Sequence, residues 1–533
     1  MNSEKISAGT SAVTTEYVFP VAVVCAEKTE NAEAITKEKE LQINLVEPQL
    51  TRIEKGGFLV LDFGRELAGG VRILAFDAGC RVRLRLGESV SETFSELAGS
   101  KPGCNDHAVR DAEVFLPSLC DQKYFQSGFR FLRIDAPEKD VAIKSVAAVY
   151  KHVGYDRVGV FNCADEVVNR IFDTAAHTVT LCMQNGMLWD GVKRDRLVWI
   201  GDMYPEFLAG FGLYKECDYA RRCLDYARET TPLPGWMNTM PTYSLWWILC
   251  LKEYVFHTGD IDFLRKNRYY LDELLKIYDG CISDDGEINT PGIFLDWPSH
   301  DTPDEKFGVR AIAKMAADAA DVLTASLFYK NPHTESIKRK LASVKGAPAE
   351  KKQAVALSLL AGYDADPALL IKDGACGMST FMSWAILNAA HDYASPEAAA
   401  KMCRDYYGAM LKLGATSFWE DFDMSWLEGA APVTRLSAAG EKDVHGDYGK
   451  YCYKGFRHSL CHGWSAGVIN YLQTRILGVR PVQFGGLSVR VRPCPEYGDM
   501  TGVVPVAGGL VKVEVKSGRV GVEASPGIEI IAD

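Results

Sequence analysis

The sequence predicts a multidomain protein in which a helical domain lies between an N-terminal and a C-terminal β-sandwich domain. Residues 1–155 alternate apolar and polar side chains with the period of two that is typical of half-buried strands. Residues 156–478 change to the helical period, and residues 479–533 return to the strand period. All ten tryptophans lie in the middle segment, which indicates an aromatic-lined cleft there or, as the alternative, simply a large helical core.

The strand prediction for the first segment depends on its clearest alternating run. In Cys80 to Leu86 every second residue is apolar, so one face of a strand would be buried and the other exposed to solvent. The pairs Gly56-Gly57 and Gly69-Gly70, together with Gly87, are interpreted as turns between such runs. We therefore expect an N-terminal β-sandwich.

The helical prediction for the middle segment is clearest in Asp165 to Asn185. Apolar side chains recur there at i, i+3, i+4, i+7 and i+8 from Val168, and Asp165 precedes them as an N-cap. About ten to twelve helices without a short repeat fit a closed helical toroid, and a long multi-helix bundle is the structural alternative. Similar helical stretches lie at 205–228, 242–257, 261–279, 308–329, 351–361, 379–393, 396–413 and 464–476.

The last segment alternates again in Leu487 to Arg492, Val511 to Lys516 and Val520 to Ala524. At about 55 residues it is too short to form an independent core. We therefore expect it to pack against another part of the chain.

Composition argues against two classes of partner. The 533 residues include 59 basic and 70 acidic side chains, a net charge of −11, whereas binding nucleic-acid phosphates needs an excess of lysine and arginine. No apolar run approaches the ~18 residues that span a bilayer. The 15 cysteines form no CxxC pair, and the N-terminus lacks the apolar stretch of a secretory signal. We expect no nucleic-acid or membrane partner, no metal or other cofactor, and a cytoplasmic location, or a periplasmic or secreted one if a signal peptide has been removed.

The densest cluster of charged and aromatic residues runs from Trp189 to Asp202 and holds three carboxylates, three cations and two tryptophans. If the part from Asp195 onward is helical, Asp195, Trp199 and Asp202 lie on one face at i, i+4 and i+7. Two acids beside an indole suit the hydroxyl groups and the apolar face of a sugar, although Gly201 argues against a continuous helix. The alternative interpretation is an ordinary ion-pair network.

Three further segments place polar groups beside aromatic residues. In GATSFWEDFD, Glu420 follows Phe-Trp, an apolar neighbourhood that favours a raised carboxyl pKa, unless Glu420 is an acid at the start of a helix. In FLDWP, Asp296 precedes Trp297. His458 and His462 have the spacing of metal ligands on a helix, but no HExxH glutamate accompanies them, so hydrogen-bonded or sugar-facing histidines are favoured.

Two carboxylates from distant segments that face one aromatic cleft meet the requirement of glycosidic bond cleavage. One acid protonates the leaving oxygen, and the other activates water or attacks the anomeric carbon. The sequence contains no nucleophile-elbow serine, phosphate-binding loop or dinucleotide fingerprint. The residues alone therefore favour a glycoside hydrolase.

Four motifs in this order resemble those of α-L-rhamnosidases of glycoside hydrolase family 78: DGVKRDRLVWIGDMYPE, FLDWP, GATSFWEDFD and HSLCHGWSAG. The upstream runs LVLDFGRELAGGVRI and RLGES also resemble the N-terminal sandwich of that family. The resemblance covers nearly the whole chain. It implies an (α/α)6 barrel flanked by β-sandwich domains at either end, an inverting mechanism, and a rhamnose-containing glycan or glycoside as substrate.

The resemblance also implies roles for single residues. Asp195 lies where the family has its general acid, at a position where many members have glutamate, and Glu420 lies where the family has its general base. The expected residues of the sugar pocket are Asp190, Arg194, Trp199, Asp202, Asp296, Trp297, Trp419 and His462.

Two other functions remain open from the sequence. One is a glycosidase of the same barrel architecture that acts on another sugar. The other is a catalytically silent carbohydrate-binding homologue, which the aspartate at position 195 leaves open. The preferred aglycone, the linkage and the oligomeric state are not predicted.

Overall fold

The first third of the chain forms one antiparallel seven-stranded sheet in the order β1-β7-β3-β6-β4-β5, with β2 paired to β3. The computed structural model describes residues 13–46, 49–96, 110–342, 349–449 and 455–531. The strands are β1 (Val13–Val18), β2 (Ala22–Glu30), β3 (Thr51–Asp77), β4 (Cys80–Gly87), β5 (Asp111–Leu116), β6 (Cys120–Asp135) and β7 (Val141–Val153), and the short helix α1 (Val90–Phe94) follows β4.

The predicted alternation of Cys80 to Leu86 is confirmed by strand β4, in which Val82 and Leu84 are buried and Arg81 is exposed. The turns expected at Gly56-Gly57 and Gly69-Gly70 are wrong, because both pairs lie inside strand β3. Gly69 has a φ of 149°, and a Cβ on it would stand 1.9 Å from the carbonyl oxygen of Val149. The glycine therefore permits a close approach of the β3 and β7 backbones, which a side chain at this position would prevent.

The middle of the chain is mainly helical and contains five short strands among its described residues. These strands are β8 (Val160–Cys163), β9 (Met183–Gln184), β10 (Met187–Leu188), β11 (Ala430–Ala431) and β12 (Lys442–Asp443). Strand β11 pairs with β12, and β8 belongs to a sheet that is described below. The α-helices are α2 (Glu166–Cys182), α3 (Met203–Leu213), α4 (Asp218–Glu229), α5 (Pro241–Thr258), α6 (Ile261–Gly280), α7 (Pro303–Ser326), α8 (Pro332–Ala342), α9 (Lys352–Leu360), α10 (Ala368–Ile371), α11 (Ser383–Ala389), α12 (Pro396–Lys412) and α13 (Val468–Tyr471).

Short 3₁₀ and π segments occur along the whole described chain. The 3₁₀ turns are Ala32–Thr36, Met237–Thr239, Trp297–Ser299, Met424–Leu427, Gly455–Arg457, Gly463–Gly467 and Phe484–Gly486, and the π turns are Ala390–Ala394 and Leu472–Ile476. The π turns continue α11 and α13 directly.

Six of the helices contact one another in a closed ring, in the order α3, α5, α7, α9, α11, α13 and back to α3. The other long helices pack outside the ring, since α4 contacts α5, α8 contacts α7, and α12 contacts α2. The ring is filled by large side chains such as Trp246, which is completely buried.

Helix α2 matches the helix predicted from Asp165 onward. The Asp165 carboxylate accepts a hydrogen bond from Val167 N at 2.9 Å, so it is the N-cap, and Val168, Ile171 and Phe172 are buried as their spacing predicts. The stretch predicted at 205–228 is instead two helices, α3 and α4, because the chain turns between Leu213 and Asp218.

The last segment forms two small sheets, which contact helix α3 and the π turn Leu472–Ile476. One sheet has the order β13-β14-β18 and the other β17-β16-β15-β8. Strand β8 comes from the start of the helical segment, so the C-terminal sheet takes one strand from a part of the chain that lies before all the ring helices. The strands are β13 (Val479–Pro481), β14 (Ser488–Val491), β15 (Met500–Val506), β16 (Gly509–Lys516), β17 (Arg519–Ala524) and β18 (Glu529–Ile531).

The protein is thus a multidomain chain of helical and β-sandwich parts. Within the described ranges, every helix is too short or too polar to cross a bilayer.

Candidate active site

The loop from Trp189 to Asp202 is closed by its own hydrogen bonds. Asp190 N donates to Leu197 O at 3.0 Å, and Leu197 N donates to Asp190 Oδ1 at 2.8 Å. The helix expected from Asp195 onward is absent from this described segment, because Asp195 and Arg196 have φ values of 51° and 56°. Two consecutive left-handed residues are incompatible with a right-handed helix, and α3 begins only at Met203.

Arg194 joins the two carboxylates that the resemblance assigns to catalysis. Its Nη1 donates to Asp195 Oδ2 at 3.1 Å, and its Nη2 donates to Glu420 Oε1. The same guanidinium donates through Nε to Arg457 O at 2.8 Å. The structure therefore brings Asp195 and Glu420, which are far apart in the sequence, into contact with the same arginine.

Glu420 is nearly completely buried and is held at both its backbone and its side chain. Ser459 N donates to Glu420 Oε2 at 3.2 Å, and Glu420 N donates to Ser459 O at 2.9 Å. Thr380 Oγ1 and Trp464 Nε1 donate to Glu420 O at 2.5 and 3.0 Å. Burial raises the pKa of Glu420, while the Arg194 guanidinium opposes that shift. The chain around Glu420 is not helical, so the alternative interpretation as a helix-start acid is wrong.

His462 lies at the centre of a group of carboxylates. Its Nε2 is 3.6 Å from Glu420 Oε1, 3.8 Å from Asp190 Oδ2 and 3.9 Å from Asp202 Oδ2. Burial and the nearby Arg194 lower the pKa of His462 well below its ordinary value. A neutral imidazole can both donate and accept a hydrogen bond, which suits contact with sugar hydroxyl groups.

Asp190 and Asp202 are also buried beside this histidine. Burial raises the pKa of Asp190 well above its ordinary range, and repulsion from Asp202 adds to the shift. Burial likewise raises the pKa of Asp202, although Tyr243 Oη donates to Asp202 Oδ1 at 2.8 Å and opposes it. Carboxyl groups in such surroundings favour the neutral form, which can donate a hydrogen bond as well as accept one.

The three expected tryptophans have different surroundings. Trp199 is half-buried and meets Tyr243 edge to face at 5.9 Å, and Trp297 is half-buried beside Phe294 at 5.1 Å. Trp419 is only 1% exposed. Trp199 and Trp297 are therefore available to a ligand, whereas Trp419 lies in the core behind Glu420.

Asp296 caps the 3₁₀ turn at Trp297. Its Oδ1 accepts from Ser299 N at 3.1 Å, and its Oδ2 accepts from Ser379 Oγ at 2.7 Å. Burial raises its pKa. These contacts fix the backbone that carries Trp297, and they occupy both carboxylate oxygens.

A buried ionic cluster behind the site was missed from the sequence. Lys193 Nζ lies 3.1 Å from Glu88 Oε2, 2.9 Å from Glu92 Oε1 and 3.2 Å from His445 Nε2. Among the described residues, those three partners form a group that could hold a metal ion, but the lysine ammonium lies within it. The predicted run contained Lys193, yet nothing in the sequence identifies partners that come from such distant parts of the chain.

Glu88 connects the N-terminal sheet to the catalytic loop. Its Oε2 accepts from Leu460 N at 2.7 Å, and its Oε1 accepts from Ser459 Oγ at 3.2 Å. Ser459 is the residue whose backbone pairs with Glu420. Glu88 belongs to the RLGES motif, so that motif was a signal for this contact.

Asp421 also was not predicted as a site residue. Burial, together with repulsion from Glu420, raises the pKa of Asp421 to about 7. Asp421 lies between a narrow pocket that includes Glu420 and a cavity of about 1030 Å³ that is lined by Trp297, Phe422, Trp426 and Tyr448. The acid that follows Glu420 in GATSFWEDFD was visible in the sequence, but its burial was not.

Residues 156–331 match the family model described as the bacterial alpha-L-rhamnosidase 6 hairpin glycosidase domain. This part of the chain is therefore similar to a six-hairpin glycosidase domain. The resemblance to family 78 α-L-rhamnosidases that the motifs predicted is thereby confirmed. The matched range of the six-hairpin domain contains Asp190, Asp195 and Trp297, and Glu420 lies C-terminal to it.

Solved structures show the same fold over almost the whole chain. A family 78 rhamnosidase from Bacillus sp. GL1 has a TM-score of 0.72 at 21% identity, over 93% of this chain and 55% of that one. A Streptomyces avermitilis α-L-rhamnosidase complexed with L-rhamnose has a TM-score of 0.70 at 17% identity, over 96% of this chain and 49% of that one. The chain thus spans about half the length of these two proteins.

A third similar structure is closer to this chain in length. The rhamnosidase from Klebsiella oxytoca with rhamnose bound has a TM-score of 0.67 at 18% identity, over 87% of this chain and 96% of that one. No curated protein matches the chain.

Proposed function

We propose that the protein is an α-L-rhamnosidase that removes terminal, non-reducing α-L-rhamnosyl residues from glycosides or oligosaccharides. The observation that carries the proposal is the pair of carboxylates, Asp195 and Glu420, that both contact Arg194, with Glu420 also beside His462. The six-hairpin domain and the rhamnose-bound structures of similar fold support it.

The proposal includes an (α/α)6 barrel as the catalytic domain. The ring of α3, α5, α7, α9, α11 and α13 would be its inner layer, and the helices outside the ring its outer layer. The proposed domains are residues 1–155, 156–478 and 479–533. In this arrangement the loops that carry the site precede ring helices, since Asp202 precedes α3 and His462 precedes α13.

Glu420 would be the general base of an inverting reaction. Arg194 Nη2 and Ser459 N donate to its two oxygens, and hydrogen bonds to the charged form stabilise a carboxylate against the cost of burial. The base takes a proton from a water as that water attacks the anomeric carbon. Inverting pairs stand roughly 6.5–9.5 Å apart to leave room for the water, and an intervening guanidinium is compatible with such a gap.

Asp195 would be the general acid that protonates the leaving oxygen. Its side chain is 18% exposed, whereas that of Glu420 is 4% exposed, so Asp195 is the carboxyl group with access from the solvent side. Its contact with Arg194 must open before Asp195 can present a proton to the substrate. We propose that substrate binding turns Arg194 toward the sugar and releases Asp195.

The remaining expected residues would hold the rhamnosyl unit. Asp190, Asp202 and His462 offer hydrogen bonds to its hydroxyl groups, and Trp199 and Trp297 offer flat apolar faces to its ring and methyl group. In this proposal Asp296 and Trp419 do not contact the sugar. Asp296 fixes the backbone of Trp297, and Trp419 fixes the position of Glu420. We also propose that the site prefers rhamnose to other neutral sugars.

One observation favours the silent binding homologue as the second candidate. Arg194 contacts both carboxylates at once, an arrangement that suits two anions better than an acid and a base. If Asp195 stays bound to Arg194 when sugar enters, the site binds rhamnose without cleaving its glycosides.

Hydrolysis of p-nitrophenyl α-L-rhamnopyranoside tests the proposal. We expect the wild-type protein to release p-nitrophenol, and Asp195→Asn and Glu420→Gln to lower kcat, Glu420→Gln by roughly 10²- to 10⁴-fold because a proton-transfer group is lost. The exposed Glu428→Gln, close to the base in sequence, is the matched control and should retain wild-type kcat. Proton NMR of the first product should show β-L-rhamnose if the reaction inverts.

Three outcomes would contradict parts of the proposal. A Glu420→Gln variant with wild-type kcat excludes Glu420 as the base, and α-L-rhamnose as first product excludes inversion. Absence of hydrolysis, with L-rhamnose still raising the melting temperature, selects the silent homologue.

A further inference from the structure

The proposed general acid is the central residue of a tight turn of the backbone. Arg196 N donates to Arg194 O at 2.6 Å, so the chain turns around Asp195. The φ of Asp195 is 51°, and the φ of Arg196 is 56°. A three-residue turn of this kind is strained when its central residue has a positive φ. Such a conformation persists only where surrounding contacts hold it, and those contacts decide where the Asp195 carboxyl group lies.

The side chain of Arg194 cannot hold Asp195 throughout the proposed reaction. It donates to Asp195 Oδ2 at 3.1 Å, but that contact must open before Asp195 can protonate the leaving oxygen. The proton transfer still requires the carboxyl group to lie within hydrogen-bond reach of that oxygen. Contacts other than the Arg194 side chain must therefore keep the turn in its conformation during the reaction.

Arg196 connects the turn to the N-terminal sheet. Its Nη1 donates to Gln126 O at 2.9 Å. Gln126 lies in β6 at a register shift against β3, between Tyr124 and Ser127. A bulge of this kind leaves the extra residue of a strand outside the ladder, so a backbone carbonyl there can accept from another part of the chain. The bulge in β6 thus provides the acceptor that Arg196 uses.

A second contact joins the same strand to the loop before Asp195 in the sequence. Gly128 N donates to Val192 O at 2.8 Å, and a Cβ on Gly128 would stand 2.5 Å from Val192 Cγ2. Arg196 and Val192 also line one narrow pocket together with Gln126, and Arg196 is half-buried. Strand β6 therefore contacts the loop both before and after the proposed acid.

We infer that Arg196 is a positioning residue for the general acid. Its hydrogen bond to Gln126 holds the turn, so that the Asp195 carboxyl group stays directed at the leaving oxygen after Arg194 has moved away. In that step the bond between the anomeric carbon and the leaving oxygen breaks, while the water that Glu420 deprotonates bonds to the anomeric carbon. The leaving oxygen keeps the bonding electron pair and takes the proton of Asp195, which becomes a carboxylate. The inference rests on the proposed rhamnosidase function.

The test compares two substrates whose leaving groups differ in basicity, phenyl and p-nitrophenyl α-L-rhamnopyranoside. Phenolate is the stronger base, so its departure depends more on a proton from the general acid, whereas p-nitrophenolate leaves with less help. Loss of a well-placed acid therefore slows the phenyl substrate more than the p-nitrophenyl substrate. Asp195→Asn, which removes the acid itself, should show this difference at its largest.

Arg196→Met removes the donor to Gln126 O and keeps a long side chain. We expect it to lower kcat on the phenyl substrate by roughly tenfold or more, because a small displacement of a reacting group is costly in rate. On the p-nitrophenyl substrate kcat should fall by a clearly smaller factor, and KM should change little for either. Arg196→Lys keeps a cationic donor and should show the same dependence with a smaller loss, so the comparison does not depend on how well Arg196→Met folds.

Arg310→Met is the matched control. Arg310 in helix α7 is also half-buried, and its Nε donates to the backbone oxygen Leu341 O at 2.9 Å. The substitution thus removes an equivalent contact away from the proposed acid, and it should leave the ratio of the two kcat values unchanged.

Three results would overturn the positioning role while leaving the rhamnosidase function intact. Equal losses of kcat on the two substrates would assign Arg196 a structural role alone, and wild-type kcat on both would exclude any role. A raised KM with unchanged kcat would make Arg196 a contact of the substrate instead. Asp195→Asn without dependence on the leaving group would exclude Asp195 as the acid, and the inference with it. Hydrolysis of neither substrate by the wild-type protein would contradict the proposed function itself.

Discussion

Glu206 in helix α3 is a fully buried carboxyl group that has no role in the proposed chemistry. Both of its oxygens lack a hydrogen-bond partner among the described residues. A Cβ on Gly463 would stand 2.3 Å from Glu206 Cδ, so the carboxyl group is packed directly against the turn that follows His462. Burial raises the pKa of Glu206 well above its ordinary value, and repulsion from Asp202 and Asp190 adds to the shift.

Glu206→Gln should stabilise the protein increasingly as the pH rises. A carboxyl group with a raised folded-state pKa contributes its full stability below its unfolded pKa of ~4.3, and loses that contribution as the pH rises toward the folded value. Glutamine does not ionise, so the difference in melting temperature between variant and wild type should be small at pH 4 and largest at pH 8. The exposed Glu216→Gln should show no such trend, and a pH-independent difference for Glu206→Gln would contradict the assigned protonation.

Single site residues could be named from the sequence only where a motif marks them. Asp195 and Glu420 stand in such motifs, and the structure places both against Arg194. Glu206 lies in the motif DGVKRDRLVWIGDMYPE as well, but its burial without partners depends on the packing of Gly463, which comes from the other end of the helical segment. Contacts between side chains that are this far apart in the sequence produce no periodic pattern, so they cannot be predicted from it.

At the scale of elements, the packing of α3 against α13 depends on a glycine. The Gln473 amide donates to Gly212 O at 2.6 Å, and a Cβ on Gly212 would stand 1.9 Å from Gln473 Oε1. Gly212 therefore lets the C-terminal end of α3 contact the π turn that continues α13.

Gly212→Ala should destabilise the protein by about 1–3 kcal/mol, because an added methyl group in a packed interface forces side chains and backbone apart. Urea unfolding followed by circular dichroism measures the effect. Gly280→Ala, at the last residue of α6, is the control, since a Cβ there has no heavy atom within 4 Å, and it should change the free energy of unfolding by less than about 1 kcal/mol. Equal effects of the two substitutions would refute the packing argument.

Elements were predictable where local signals agree. Helix α2 combines an apolar stripe with a capping aspartate, and strand β4 has a regular alternation. The glycines inside β3 were misread as turns, since a glycine that permits close backbone contact has the same local signature as a turn glycine. Strand β8 pairs with β15, although the whole helical part separates them in the sequence. No local sequence pattern identifies a partner strand at such a distance.

At the scale of the whole molecule, the three segments with different periodicities correspond to the sheet, the helices and the C-terminal strands. What the sequence did not reveal is how the sheet reaches the site. Glu88 extends from the end of β4 to Leu460 N and Ser459 Oγ, and the Ser459 backbone in turn holds Glu420. The N-terminal sheet thereby positions the proposed base without contacting the cavity, a role that only the assembled structure exposes.

Glu88→Gln should therefore lower kcat on an α-L-rhamnoside by roughly tenfold or more with little change in KM, because a small displacement of a reacting group is costly in rate. The amide puts an N–H₂ donor where a carboxylate now accepts, and it weakens the contact with Lys193. Arg72→Gln, whose ion pair with Asp121 lies within the N-terminal sheet, is the control and should leave both constants unchanged. Activity should be measured at a temperature below the melting temperature of each variant, because removing one partner of a buried ion pair is itself destabilising by about 3–5 kcal/mol. A folded Glu88→Gln protein with wild-type kcat would show that the helical part positions Glu420 unaided, and the sheet would then contribute stability alone.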